Sequence, residues 1–325
     1  MTPEKTDQKK KTVVCLLLLF LLFCWTSQAA AEVWVFYRPD IPLHLGTVQH
    51  LKSETNRSLV FCPVGKTSFS FLESHPPHFV IALGDAALEL ALTMSWKVQI
   101  FVALVDQPPS DSRILLLDTQ QPYAKQLRLL KTLVPNLNTI WYPYAAERFA
   151  PGSALKRAAD AAGMKIVSER LENPQILPEA LRILTQQTSA ALLPPDPGIM
   201  NDAIIQSIFL AAFRSRTPVI GFSEALVRQG AAFAYVLSPE NLATAISEVI
   251  QEDEFGSAKG TKEEDESGAA KGTKDTIKVD GAGSDHSQSP IRIFNRWNLI
   301  LNSTILEKFK LPISDQLKNS ASKIF

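Results

Sequence analysis

Short apolar runs recur along this chain, and most are followed by a stretch with helical spacing. Glu32–Tyr37 (EVWVFY) precedes a weak helix around Leu45–Thr55, and Ser58–Cys62 (SLVFC) and Phe79–Leu83 (FVIAL) supply two more strands. The last runs through Gly-Asp-Ala-Ala into a helix that reaches Met94. Val98–Val105 and Ile114–Leu117 follow, then Tyr123–Leu133, whose apolar residues at 127, 130 and 133 form a helical stripe. A second series begins at Thr139–Tyr142 (TIWY). It continues through a helix over Ser153–Ala162 closed by Gly163, a strand at Lys165–Ser168 and a helix over Leu177–Gln187. Strand Ala190–Leu193, helix Asp202–Arg214, strand Pro218–Phe222 and helix Ser223–Gln229 come next, then strand Ala231–Val236 and helix Pro239–Ile250. Strands that are apolar throughout and alternate with helices belong to parallel sheets covered on both faces. The pattern predicts an α/β protein of two doubly wound, Rossmann-like lobes.

Two stretches break this rhythm. Residues 1–11 carry Lys5, Lys9, Lys10 and Lys11, an uncharged run extends from Val13 to Trp25, and TSQAAA follows. These are the three parts of a secretory signal, with the expected cut at Ala29-x-Ala31, before Glu32; Ser27-x-Ala29 is the alternative. The run is shorter than the roughly 20 residues of a spanning helix, which disfavours an uncleaved anchor. Cys24 is a weak candidate for lipidation, since Phe23 before it is too large for a lipobox. The second break is 252–289, rich in Gly, Ser, Lys and acids, in which GSAKGTK (256–262) recurs as GAAKGTK (268–274). Its composition predicts a disordered, solvated insertion. After it, RIFNRWNLILNSTILEKFKLPIS predicts a return to packed structure.

Composition narrows the chemistry. The 325 residues contain 33 Lys+Arg and 33 Asp+Glu, a balance that argues against a nucleic-acid partner. There are three cysteines. Two lie in the N-terminal segment, so the mature chain would keep only Cys62, expected to be buried, and no disulfide framework or Cys-rich zinc site follows. Motifs for catalysis are weak. Gly65-Lys66-Thr67 lacks the upstream glycine of a phosphate loop, since Val60 stands there. Gly221-Phe-Ser223-Glu-Ala225 departs from a nucleophile elbow at its last position. His75-Pro-Pro-His78 cannot be a helical metal pair. No cofactor fingerprint follows any strand, and Asp85, Asp106 and Asp196 fall at separate strand ends.

Those strand ends offer a binding crevice, because ligands of open α/β sheets sit beyond the carboxyl ends of the strands. The candidate ligand-binding residues there are Tyr37, Arg38, Gly84, Asp85, Ala86, Asp106, Tyr142, Tyr144, Asp196 and Ser223. The amides of Gly84-Asp85-Ala86 open a helix and suit an anionic group, unless Asp85 caps that helix itself. Arg38 is the candidate for pairing a carboxylate, with a surface role as the alternative. The three tyrosines suit stacking or hydrogen bonding to a ligand, with packing at a lobe edge as the alternative.

Taken together, PHFVIALGDAALELAL (77–92), VALVDQP (102–108), KQLRLLKTLVPNLNTIWYPY (125–144), ALLPPDPGIMNDAI (191–204) and TPVIGFSEALVRQGAAFAYVLSPENLATAISEVI (217–250) resemble the substrate-binding proteins of ABC transporters, tryptophan/tyrosine type. NLILNSTILEKFKLPI (298–313) is similar to that family's closing segment. The resemblance implies a type I periplasmic binding fold, with the chain crossing between lobes near Leu137–Thr139, near Gly230 and near the tail. It further implies a small organic solute, such as an amino acid or related carboxylate, held between lobes that close about a hinge. The partner would be an ABC permease in the inner membrane, with no enzyme activity and a monomeric, periplasmic protein. The expected boundaries are a signal at 1–31, one lobe from 32–138 and 231–251, and the other from 139–230 and 290–325. Asp85 replaces the family's Thr, and Pro143-Tyr-Ala-Ala-Glu-Arg-Phe replaces its Asn-x-x-x-Asn-Ser stretch. These departures fit a different solute. They equally fit a sensor or partner protein that keeps the fold without serving transport.

Overall fold

The computed structural model describes residues 32–55, 58–65, 76–105, 110–259 and 291–325. The signal segment, Cys24, Asp106, His75 and most of the 252–289 tract lie outside them. The chain divides into two compact units, 1–118 with 246–293 and 119–245 with 294–325.

The first unit holds a six-stranded, fully parallel sheet. Its strands are β1 (Val33–Tyr37), β2 (Leu59–Pro63), β3 (Phe79–Leu83), β4 (Gln99–Ala103), β5 (Ile114–Asp118) and β11 (Ile291–Ile293), in the order β11-β5-β4-β3-β1-β2. β3 is buried along its whole length, as a central strand covered on both faces must be. Helix α1 (Pro42–Glu54) follows β1 and α2 (Asp85–Thr93) follows β3. One part of the core gathers Trp34, Phe36, Val80, Leu88, Trp96 and Ile100. Within it Trp96 meets Trp34 edge-on at 5.1 Å. Cys62 is buried there, and burial pushes its thiol up to about 11, as expected of an inert core cysteine.

The second unit repeats the plan. Helices α3 (Tyr123–Leu133) and α4 (Ser153–Ala161) flank β6 (Thr139–Tyr144), followed by β7 (Lys165–Arg170), α5 (Leu177–Gln187), β8 (Ala190–Leu192) and α6 (Asp202–Ser215). Then come β9 (Val219–Gly221), α7 (Glu224–Gln229), β10 (Phe233–Val236) and the start of α8 (Pro239–Lys259), which passes into the first unit at Ile246, and after the return at Phe294 β12 (Asn298–Leu301), α9 (Ser303–Lys308), α10 (Asp315–Ser320) and β13 (Lys323–Ile324). The sheet order is β13-β12-β10-β9-β8-β6-β7, parallel except where β12 runs against β10.

The α/β, doubly wound reading therefore holds, while several boundaries differ. Residues 119–138 lie in the second unit, because the α3 stripe of Leu127, Leu130 and Leu133 packs with Ile140 and Leu155. Residues 231–245 lie there too, because β10 is registered between β9 and β12. Residues up to 293 belong with the first unit, since β11 pairs with β5. Helix α8 continues to Lys259, so the tract expected to be disordered from 252 begins as helix.

Candidate functional site

Both sheets reverse direction at one internal point. In the first unit the chain goes from β1 outward to β2, then returns to β3 on the other side of β1. In the second it goes from β6 to β7, then returns to β8 beside β6. Crossovers leave opposite faces of the sheet at such a point, opening a crevice at the carboxyl ends of the two strands.

In the first unit three unusual features meet there. Gly84 follows β3 with φ of 84° and precedes Asp85 at the head of α2. Leu104 follows β4 with φ of 63°, a left-handed conformation uncommon for a leucine and a form of strain that concentrates at functional sites. His44 is 4% exposed on α1, in the stripe His44, Thr47, Val48 and Leu51 that faces the core. A Cβ at Gly84 would stand 2.9 Å from His44 Cε1, 3.4 Å from Nε2 and 3.7 Å from the Leu104 carbonyl oxygen. Glycine is therefore required twice, for its φ and for the approach of the imidazole.

The imidazole is held in one tautomer. The Arg38 backbone N–H donates to His44 Nδ1 at 3.3 Å, which places the neutral ring's proton on Nε2. Burial lowers the His44 pKa to about 4, with the Arg38 charge adding to the shift and Asp40 opposing it. At neutral pH His44 is thus an uncharged donor. Among the described residues Nε2 has no hydrogen-bond partner.

The neighbouring candidates are less central. Tyr37 ends β1, half-buried, and its carbonyl accepts from the Val64 N–H at 2.9 Å. The Arg38 guanidinium is engaged by Asp40 through two hydrogen bonds, both side chains exposed. Its carboxylate is supplied by the chain. Asp85 is the first residue of α2 rather than its cap, a position Gly84 takes, and Ala86 is half-buried behind it.

The second unit's reversal is filled from within. Asp196, only 1% exposed, accepts hydrogen bonds from the Ala145 N–H at 2.6 Å, the Ala146 N–H at 3.1 Å and the Gly198 N–H at 2.8 Å. Its carboxylate ties the loop after β6 to the loop after β8, a structural role rather than one facing a solute. Gly198 is needed for the same knot, since a Cβ there would meet the Ala145 Cβ at 2.5 Å. Tyr142 is core rather than crevice, 3% exposed and hydrogen-bonded to Tyr123, and burial raises its pKa strongly. Tyr144 ends β6, half-buried against the same core. Ser223 caps α7, its Oγ accepting from the Leu226 N–H at 3.3 Å, which explains the elbow-like sequence without a nucleophile.

The structure thus brings Arg38, Gly84, Asp85 and Ala86 to one place, and sets Tyr142, Tyr144, Asp196 and Ser223 in the other unit. It adds His44, which sequence reasoning missed. A polar residue at the first position of the 44/47/48/51 stripe was the available signal. A recess of about 510 Å³ lies among α6, α7 and α9 and contains Phe209, Phe213 and Phe309 but none of the sequence candidates. Among the described residues no three His, Cys, Asp or Glu side chains gather to hold a metal, and no helix is long and apolar enough to cross a membrane.

Residues 105–252 match a family model described as ABC transporter substrate binding protein. That stretch is similar to the family. This is the family the sequence resembles, one of binding proteins rather than enzymes. The match starts beyond His44 and Gly84, so the reading of the first unit's reversal stands on its geometry.

The fold is shared with solved structures of low sequence identity. A ligand-free, open Clostridium difficile substrate binding protein with adhesive properties superposes with a TM-score of 0.64 at 15% identity, covering 90% of this chain and 98% of that one. An ABC domain from Streptococcus pneumonia in complex with L-Trp gives a TM-score of 0.54 at 15% identity, over 91% and 99% of the two chains. A conserved domain protein from Vibrio cholerae gives 0.54 at 15% identity, over 91% and 100%. Comparison with curated proteins gave no match.

Proposed function

We propose that this chain is an extracytoplasmic solute-binding protein of an ABC-type importer, which takes a small organic solute at the carboxyl ends of its strands and presents it to a membrane permease. The observation that carries this reading is the first unit's β1/β3 reversal. There the N-terminus of α2, the close approach of His44 to Gly84 and the strained Leu104 meet at the carboxyl ends of the strands, where this fold class binds ligands. An amino acid or related carboxylate suits a helix N-terminus, whose first amides have no acceptor within the helix. The L-Trp of the Streptococcus structure supports the same class. The basic, apolar and small-residue order of 1–31 supports export to the periplasm.

Thermal melting of residues 32–325 against amino acids, organic acids, sugars and nucleosides tests the reading. A binder present at 100 times its Kd adds about 2.7 kcal/mol of stability, a readily measured rise in Tm. No rise with any of them would overturn it. The departures at Asp85 and Pro143–Phe149 equally fit a second reading, a sensor that keeps the fold and signals to another protein. Binding of a solute without stimulation of a permease reconstituted with its ATPase would favour that one.

A further inference from the structure

The two reversals face the same geometric problem and solve it differently. In each, backbone amides converge where strand order turns back. In the second unit a carboxylate of the chain, Asp196, satisfies three of them. In the first unit no side chain among the described residues takes that place as a cap. Gly84 precedes α2 with no side-chain cap, and Ala87 and Leu88 already donate to the Gly84 carbonyl. What is found instead is a histidine more than nine-tenths buried, its Nδ1 occupied by the Arg38 N–H and the Cε1–Nε2 edge of its ring lying against Gly84.

Resting on the solute-binding reading above, we propose that His44 is a specificity-determining residue. Its Nε2–H donates to a carboxylate oxygen of the solute, and the Ala86 N–H at the head of α2 donates to the same group. In this arrangement the solute's carboxylate does in the first unit what Asp196 does in the second. A solute lacking the carboxylate forgoes both hydrogen bonds, which is how the imidazole discriminates.

The test separates the two nitrogens. His44→Asn keeps an acceptor near the Nδ1 position for the Arg38 N–H but removes the Nε2 donor. His44→Gln keeps a donor near Nε2 but loses that acceptor. Calorimetric titration would use the twenty L-amino acids, their amides, succinate, ribose and adenosine as probes. The expected result is that an amino acid binds the wild type, that its amide binds about tenfold or more weakly, and that His44→Asn loses about ten- to a hundredfold in affinity with Tm nearly unchanged. His44→Gln is expected to hold affinity within about tenfold while its Tm falls. If either variant fails to fold, the imidazole Nε2 resonance of the wild type, followed by NMR as the bound amino acid is added, gives the same answer by shifting or staying still. An amino acid bound equally by wild type and His44→Asn, or a still Nε2 resonance at saturation, overturns the role of His44 and leaves the binding function standing. Binding of ribose or adenosine alone overturns the carboxylate assignment. Binding of none of the probes overturns both.

Discussion

The β1/β3 reversal of the first unit and the β6/β8 reversal of the second occupy equivalent topological positions and are built from opposite chemistry. At the second, a buried anion is locked among three amides, and Gly198 keeps room for it. At the first, a buried neutral donor faces a helix N-terminus, and Gly84 keeps room for the donor. One reversal is closed by its own chain; the other presents donors. The difference teaches that a buried aspartate at a strand end is not by itself a ligand contact. What decides is whether its lone pairs are already spent on backbone amides.

The largest effect that would break this comparison is at Asp196. Asp196→Ala leaves three amides without their acceptor and should destabilise the second unit by about 4 kcal/mol in urea unfolding. A change below about 1 kcal/mol would show that the knot is not structural. Next is the pH dependence tied to His44. The fold holds the imidazole neutral to about pH 4, whereas the unfolded chain takes up a proton near its ordinary value of 6.5. Stability is therefore complete above about pH 6.5 and falls as pH drops toward 4, by on the order of 3 kcal/mol. His44→Asn should remove that part of the pH profile, leaving the contributions of the carboxylates. Gly84→Ala ranks third. The left-handed φ and the contact with His44 together should cost about 2 kcal/mol, and solute affinity should fall with it as the imidazole is displaced. Arg38→Ala should be the mildest, leaving the urea midpoint nearly unchanged, since the exposed pair with Asp40 is screened by solvent.

Much of the fold was legible because apolar strands and helical stripes are local signals. The runs expected as strands at 32–37, 79–83, 139–142 and 218–222 form strands at 33–37, 79–83, 139–144 and 219–221. Lobe membership was less legible, because it depends on registry. Nothing in the local sequence of Phe233–Val236 says that it pairs with β9 and β12. The helical pattern of α8 likewise appeared to end at Ile250, where the polar tract begins, yet the helix continues to Lys259. At the candidate site, Gly84-Asp85-Ala86 could be read from a strand running into a helix. His44 could not, since its α1 stripe mixes His and Thr with Val and Leu and gives little amphipathic contrast. Asp196 was visible as an acid at a strand end, but its partners lie about 50 residues away in sequence.

On the proposed reading the first unit's reversal takes the solute's carboxylate and the second unit's does not. Amide NMR of the protein titrated with whichever amino acid raises its Tm tests this most directly. The largest shifts should fall on Gly84, Asp85, Ala86 and the Arg38 amide that donates to His44, with the Asp196-bound amides of Ala145 and Gly198 changing little. Shifts concentrated instead at Ala145, Ala146 and Gly198, or at the Phe209–Phe213 recess, with Gly84 and Ala86 unmoved, would contradict it.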